Sequence, residues 1–215
     1  MTTAPPLRLA VLLSGNGTSL ENLFEQIDTG ALPVEIAVVV SSKPDAFGLE
    51  RARRRGIPAI SVPRRQHTSE DHFNDALHEA LLPFKPDLVA LLGFLSLFQL
   101  RGLYDGRVIN VHPALIPAFS GQGYYGRRVY DAVLQSGVKV TGATVHFTDD
   151  EYDNGPIILQ EAAAVHEDDT ADSLAERVTE VERRLVPEAI RLIAEGRIKV
   201  EGRRCRILRS QETRD

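Results

Sequence analysis

Short apolar runs alternate with amphipathic segments through the first half of the chain. The runs are almost continuously apolar, as expected for strands buried on both faces of a parallel sheet. Between them, apolar residues recur at helical spacing, and glycine or proline marks most segment ends. The predicted strands cover residues 7–13, 34–40, 59–62 and 88–92, and the predicted helices begin near Thr18, Phe47 and Ser69. This order predicts an α/β fold with a mostly parallel central sheet, right-handed crossovers and helices on both faces.

The second half of the chain carries a more mixed pattern. A short apolar strand is predicted over 108–111, a helix over 129–135, a strand over 138–147 and a returning strand over 157–160. A hairpin of the last two strands would make the sheet mixed in this half. A long helix is predicted from Asp169 or Thr170 to Gly196, followed by a short exposed hairpin over 198–208. No linker divides the chain, so we expect a single domain, 1–215, with halves of about 1–105 and 106–215.

Composition and charge narrow the class of protein. The 215 residues are 43% hydrophobic and 26% charged, which is ordinary for a globular domain with one core. The net charge of -5 argues against a non-specific nucleic-acid binder. Cys205 is the only cysteine, which excludes an intrachain disulfide. No apolar run approaches the roughly 18 residues of a membrane span, and residues 1–13 lack a signal-peptide pattern. We therefore expect a cytoplasmic protein without nucleic-acid or membrane partners.

A glycine-containing loop, Ser14-Gly-Asn-Gly-Thr-Ser19, joins the first predicted strand to the first helix. Thr18 and Glu21 form a capping-box pattern at the start of that helix. A helix start of this kind offers unpaired N–H groups and a positive dipole end to an anion, typically phosphate. The missing third glycine and lysine distinguish the loop from the dinucleotide fingerprint and the Walker loop. The loop therefore predicts a phosphate site, and a tight turn without a ligand is the alternative.

The strand at 108–111 leads into a pair of polar side chains. Asn110 and His112 are two residues apart, so their side chains project from the same face of an extended backbone, and Pro113 ends the strand. Histidine can move a proton near neutral pH, and an asparagine amide can stabilise an oxyanion. The end of a strand in an α/β sheet is a common place for a site. The alternative is that Asn110 turns the chain and His112 is a hydrogen-bonded core residue.

These segments, together with Asp153-Asn-Gly-Pro156, resemble the folate-dependent phosphoribosylglycinamide formyltransferase family of the formyltransferase superfamily. The resemblance covers nearly the whole chain. It includes Asp45-Ala-Phe-Gly-Leu-Glu-Arg-Ala52, His112-Pro-Ala-Leu-Ile-Pro117 and Gly155-Pro-Ile-Ile-Leu-Gln160. It implies a Rossmann-like formyltransferase fold. It also implies transfer of a formyl group from 10-formyltetrahydrofolate to the glycinamide amine of phosphoribosylglycinamide (GAR) in purine biosynthesis.

The resemblance also implies which residues form the site. Asn110 and a protonated His112 would stabilise the oxyanion, while Asp153 would hold the charged His112, raise its pKa and help to shuttle the proton. His146 is expected to support the site without being catalytic. The expected contacts to the GAR phosphate and ribose are Gly15, Asn16, Gly17, Thr18, Ser19 and Glu182. The expected folate contacts are Leu95, Ser96, Leu97, Phe98, Asn110, Thr148, Asp149, Asp150, Glu151, Tyr152 and Asp153.

Two departures from the family pattern leave alternatives open. Leu95-Ser96 stands where many members have Met-Arg, and Ser120-Gly-Gln-Gly-Tyr-Tyr-Gly126 replaces Pro-Gly-Leu-His. A formyltransferase of another amine, such as an amino-sugar nucleotide, and a 10-formyltetrahydrofolate hydrolase are therefore alternatives, as is a non-catalytic nucleotide-binding module. Methionyl-tRNA formyltransferase would need a further C-terminal domain. The implied partners are small molecules, no metal is expected, and the oligomeric state stays open, with a homodimer among the alternatives.

Overall fold

The computed structural model describes residues 5–209. By its internal contacts the chain divides into two compact units, one that ends at Ile109 and one that begins at Asn110. The sequence placed a division near residue 105, and the organisation as a single domain stays a prediction.

The first unit is a parallel α/β arrangement. Its strands are β1 (Leu7–Leu13), β2 (Val34–Ser41), β3 (Ala59–Ser61) and β4 (Leu88–Leu91). They lie in the order β3-β2-β1-β4, and each neighbouring pair is parallel. The helices are α1 (Thr18–Asp28), α2 (Phe47–Arg54) and α3 (Glu70–Leu81), with short 3-10 helices at Arg64–Gln66 and Leu82–Phe84. The apolar strands lie in the core because both faces of this part of the sheet are covered.

The second unit has a mixed sheet. Its elements are β5 (Val108–His112, which begins at the end of the first unit), α4 (Arg127–Ser136), β6 (Val140–Phe147), β7 (Ile157–Ala164), α5 (Ala171–Ala194), β8 (Ile198–Glu201) and β9 (Arg204–Ile207). The strand order is β5-β6-β7-β9-β8. β6 and β7 are antiparallel, β7 and β9 are parallel, and β8 and β9 form an antiparallel hairpin. The predicted α/β class, with a mostly parallel sheet that becomes mixed in the C-terminal half, is confirmed.

The first and last helices differ in how well the sequence predicted where they begin. α5 begins with the Thr170–Ser173 capping box, close to where the sequence placed its start. The capping box predicted at Thr18 and Glu21 is wrong. Gly17 is the N-cap of α1, in a left-handed conformation and without a side-chain cap, while Glu21 instead pairs with Arg51 at 2.6 Å. Across residues 5–209, no helix combines the length and apolar character that a membrane crossing requires.

Candidate active site

Asp153 links the two polar side chains of β5. Its Oδ1 accepts a hydrogen bond from Nδ2 of Asn110 at 3.1 Å, and its Oδ2 lies 3.3 Å from Nδ1 of His112. The side chains of His112 and Asp153 are only 4% and 9% exposed. Because Asn110 and His112 alternate on one face of β5, a single carboxylate can reach both. The structure therefore brings together the three residues that the resemblance assigned to catalysis.

The loop after β6 holds Asp153 in an unusual backbone conformation. Asp153 has φ +52°, in the left-handed region, which residues other than glycine seldom adopt. Two residues later, a Cβ at Gly155 would lie 1.8 Å from the carbonyl oxygen of Phe147, so only glycine fits. The adjacent Pro156 carbonyl accepts a hydrogen bond from the Phe147 N–H at 2.9 Å. The close packing of this loop on the end of β6 fixes the position of Asp153.

His146 on β6 completes the cluster from the neighbouring strand. Its side chain is fully buried, and Nδ1 lies 2.8 Å from the carbonyl oxygen of Phe147. A carbonyl can only accept, so Nδ1 carries the proton, and in the neutral ring Nε2 is then an acceptor. Nδ2 of Asn110 lies 3.2 Å from this Nε2. The two N–H groups of Asn110 therefore donate to His146 and Asp153, and its amide orientation is fixed by both.

The turn at 119–121 closes around the same side chains. Nε2 of His112 lies 2.8 Å from the carbonyl oxygen of Phe119, and the Gly121 N–H donates to Oδ2 of Asp153 at 2.9 Å. Phe119 itself has φ +52°. Both ring nitrogens of His112 thus face acceptors, so the imidazolium satisfies both contacts and the neutral ring satisfies one.

Burial and charge act in opposite directions on this cluster. Burial lowers the pKa of His112 below its ordinary value, and the opposing attraction of Asp153 does not restore it. The expected raising effect of Asp153 is therefore present, but burial outweighs it, and the sequence did not reveal how deeply the ring is buried. Burial alone would raise the pKa of Asp153, but His146, His112 and the Gly121 N–H outweigh it and lower that pKa. The free site thus pairs a carboxylate with a histidine that is mainly neutral at pH 7.

The predicted phosphate loop lies in the first unit, between β1 and α1. Gly17 has φ +69°, and a Cβ there would lie 2.8 Å from Cα of Gly48 on α2. The loop is held by Nε of Arg51, which donates to the Asn16 carbonyl oxygen at 2.9 Å, and by the Gly48 N–H, which donates to the Gly15 carbonyl oxygen at 3.1 Å. Since no side chain caps α1, its first-turn N–H groups at Thr18 and Ser19 are left for another acceptor.

The predicted folate contacts fall in both units. In the first, the Leu95 N–H donates to Oγ of Ser14 at 3.0 Å, and Leu95 is 47% exposed. Phe98 is 1% exposed and packs against Tyr104, so its side chain belongs to the core. Ser96 and Leu97 are half-buried. In the second unit, residues 148–153 form the loop after β6, where the buried hydroxyl of Thr148 has no hydrogen-bond partner among the described residues. An unpaired buried hydroxyl fits a polar ligand group.

Glu182 lies on α5 in the second unit. Burial raises the pKa of its carboxyl to about 7. Tyr130 on α4 lies within electrostatic reach of this carboxyl, and burial first and Glu182 second raise the pKa of the Tyr130 phenol. Glu182 as a whole is half-buried, and its desolvated carboxyl, when ionised, is suited to accept hydrogen bonds from ligand hydroxyls. Tyr130 was not identified from the sequence, which predicted only a helix over 129–135.

Sequence reasoning also missed the contacts of Phe119 and Gly121, which come from main-chain atoms that carry no residue-type signal. His146 was recognised only as a supporting residue, and alternation along β6 predicts only the face of the sheet on which its side chain lies, not its contact with Asn110 on the neighbouring strand. Within residues 5–209, no three His, Cys, Asp or Glu side chains are grouped as metal ligands.

The fold and the cluster of Asn110, His112 and Asp153 are those of a formyl transferase. A sequence profile described as "Formyl transferase" matches residues 7–190, so the chain belongs to the formyl transferase family.

Within that family the chain is similar to phosphoribosylglycinamide formyltransferases. It is 34% identical over 196 residues to the Escherichia coli protein of that name, covering 90% of each chain. The structure of glycinamide ribonucleotide transformylase 1 from Symbiobacterium toebii superposes with a TM-score of 0.90 at 42% identity, over 96% of both chains. The chain is also 39% identical to part of the trifunctional purine biosynthetic protein adenosine-3 of Gallus gallus. That match covers 90% of this chain and only 19% of the chicken protein.

Proposed function

We propose that this chain transfers the formyl group of 10-formyltetrahydrofolate to the glycinamide amine of GAR, giving formyl-GAR and tetrahydrofolate in de novo purine biosynthesis. The observation that carries the proposal is the buried bridge of Asp153 between Asn110 and His112. The similarity to enzymes named for this reaction supports the choice of acceptor.

His112 serves as the proton acceptor in this mechanism. The amine attacks the formyl carbon, and the new C–N bond leaves a positive nitrogen and a negative oxygen. His112 is mainly neutral at pH 7 because burial lowers its pKa, and its Nε2 can take a proton from that nitrogen once the substrate replaces the Phe119 carbonyl oxygen that faces this atom in the free site. The resulting imidazolium donates through Nδ1 to the Asp153 carboxylate, which stabilises its charge. Return of the proton to the departing folate nitrogen breaks the original C–N bond and restores the neutral ring.

Asn110 supplies a donor for the oxyanion. In the free site its two N–H groups donate to His146 and Asp153. When His112 becomes positive, Asp153 gains a full charge partner and the N–H from Asn110 can turn to the oxyanion. A well-placed donor of this kind contributes about 3–4 kcal/mol to transition-state stabilisation in acyl transfer. His146 keeps its own hydrogen bond to Asn110 and limits how far the amide rotates.

The phosphate and the ribose of GAR are assigned to two different segments of the chain. We assign its phosphate to Gly15, Asn16, Gly17, Thr18 and Ser19, because α1 begins without a side-chain cap and offers its N–H groups and dipole to an anion. We assign its ribose hydroxyls to Glu182, a half-buried residue whose carboxylate can accept hydrogen bonds from them. The folate is assigned to Leu95, Ser96, Leu97 and Phe98, with Phe98 contributing its main chain, and to Asn110 and residues 148–153. The unpaired Thr148 hydroxyl supports a polar contact there.

We further propose a cytoplasmic enzyme with two small-molecule substrates, no nucleic-acid or membrane partner and no metal requirement. Proton transfer by His112 and charge stabilisation by Asn110 suffice for amine attack on a formyl amide. Activity that survives a chelator would support the last point. A homodimer stays one alternative for the assembly, to be decided by the mass in solution.

A spectrophotometric assay of donor deformylation, with and without GAR, tests the function. Deformylation that requires GAR and yields formyl-GAR is expected, and His112→Ala should abolish it. Equal deformylation without an acceptor would identify a hydrolase. Turnover with an amino-sugar nucleotide in place of GAR would overturn the acceptor assignment.

A further inference from the structure

The C-terminal hairpin contacts the loop that carries Asp153. β9 pairs in parallel with β7, with Arg204 opposite Ile157, so the hairpin turn lies beside the start of β7. From this turn, Nη2 of Arg203 donates to the main-chain carbonyl oxygen of Asn154 at 2.6 Å. Nη1 of the same guanidinium donates to Oδ1 of Asn154 at 3.4 Å. Arg203 therefore holds both the backbone and the side chain of the residue that follows Asp153.

The contact continues into the loop. Nδ2 of Asn154 donates to Oδ2 of Asp149 at 2.9 Å, and the N–H of Glu151 donates to Oδ1 of Asp149 at 2.9 Å. A chain of hydrogen bonds thus runs from the hairpin through Asn154 and Asp149 to the middle of the loop. These contacts restrict the loop without touching the Asp153 carboxylate, which leaves that carboxylate to Asn110, His112 and Gly121.

The loop needs such restraint because its backbone is held in a disfavoured conformation. Asp153 is left-handed, and Gly155 packs directly on the Phe147 carbonyl. Asn154 is the residue between these two positions, and its contact with Arg203 ties the loop to the hairpin. If Asn154 shifted, Asp153 could relax towards an ordinary φ and its carboxylate would move from β5.

We propose that Arg203 is a positioning residue for formyl transfer, which anchors Asn154 so that Asp153 stays within reach of both His112 and Asn110. The inference rests on the proposed role of Asp153. Residues 198–207, which form the hairpin, lie outside the 7–190 matched by the family profile, so the family match does not account for this contact.

Arg203 differs from the other arginines of the hairpin in what it binds. Its donors go to two amide oxygens of one residue, which suits the planar fork of a guanidinium. Arg206, by contrast, pairs with Glu201 inside the hairpin, at 2.9 Å from Nε to Oε2. Both side chains are exposed, so neither is needed to fill the core. Arg206→Ala is therefore a matched control for Arg203→Ala.

The test compares these two variants with the wild type. Steady-state formyl transfer to GAR should show kcat about 10-fold lower in Arg203→Ala, with the KM for GAR unchanged within about two-fold, because a small misplacement of a catalytic group costs rate. Arg206→Ala should keep the wild-type kcat. In an NMR titration, the His112 pKa should be lower in Arg203→Ala only, since Asp153 is what raises it. The free energy of unfolding in urea, measured for both variants, checks that each is folded.

Two results separate this inference from the function on which it rests. If kcat and the His112 pKa are the same in Arg203→Ala, Arg206→Ala and wild type, Arg203 does not position the site and the inference is overturned. If the wild type transfers no formyl group to GAR but the His112 pKa still falls in Arg203→Ala, the proposed function fails and the positioning role stands.

Discussion

Nδ1 of His112 lies 3.3 Å from Oδ2 of Asp153, and both side chains are almost completely buried. In this pair, burial lowers the pKa of His112 while the carboxylate raises it, and burial is the larger influence. The balance gives a histidine that is mainly neutral at pH 7, while the neighbouring carboxylate offsets part of the free-energy cost of forming the cation. Such a group is suited to accept and return one proton within a catalytic cycle.

Asp153→Asn should lower the pKa of His112 further. The substitution keeps the shape of the side chain but removes the negative charge that opposes the effect of burial. The imidazolium formed during the reaction also loses its partner, so kcat/KM should fall by about 10²- to 10⁴-fold. An NMR titration of the His112 imidazole measures the first effect, and the GAR-dependent assay measures the second. Asp105→Asn, at an exposed position in the first unit, is the control. A His112 pKa equal to that of the wild type would contradict the pairing.

His146→Ala should uncouple Asn110 from the rest of the cluster. The substitution leaves one N–H of Asn110 without its acceptor at 3.2 Å, at a half-buried position. An unpaired buried donor costs about 1–3 kcal/mol of stability, and the amide also becomes free to rotate. We expect a lower free energy of unfolding in urea and a kcat reduced by about 10-fold or more. In the wild type, the imidazole ¹⁵N signals of His146 should show the proton on Nδ1. A proton on Nε2 in the neutral ring would rule out this hydrogen-bond arrangement.

Two glycines of the phosphate loop should respond differently to alanine. Gly17 has φ +69° and a Cβ position 2.8 Å from Cα of Gly48, whereas a Cβ at Gly15 meets nothing within 4 Å. The left-handed conformation alone costs an L residue roughly 1–2 kcal/mol, and the backbone contact with α2 adds to it. Gly17→Ala should therefore lower the melting temperature and raise the KM for GAR. Gly15→Ala should melt close to the wild type, and equal melting of the two variants would show that the turn can relax.

How far the sequence predicted the structure depends on whether the signal was local. The strand at Val108–His112 and the shared face of Asn110 and His112 follow from a period of two, so they were predicted correctly. Asp153 lies 43 positions beyond Asn110, and only the resemblance to a family assigned it to the site. The raising effect of Asp153 on the His112 pKa was predicted correctly, but the larger lowering effect of burial was not, because burial depends on the packing of distant segments. The contacts of Phe119, Gly121 and Arg203 depend on loop geometry, which residue types do not encode.

Glu182→Gln should stabilise the protein at neutral and higher pH while weakening GAR binding. Burial raises the carboxyl pKa from 4.5 to about 7, so between these values the folded state holds a proton that the unfolded state has lost. Stability therefore falls as pH rises from 4.5 through 7. The neutral glutamine avoids this loss, which amounts to roughly 1–3 kcal/mol above pH 7.

The same titration of Glu182 affects GAR binding, because a carboxylate is a stronger hydrogen-bond acceptor for ribose hydroxyls than a protonated carboxyl. The KM for GAR should thus decrease as pH rises through 7 in the wild type and be higher and flatter in Glu182→Gln. Urea unfolding at pH 5 and pH 8 and a pH series of KM measure both effects. Glu180→Gln, at an exposed position on α5, is the matched control. A stability difference between Glu182→Gln and wild type that does not grow from pH 5 to pH 8 would mean that Glu182 titrates as an exposed carboxyl.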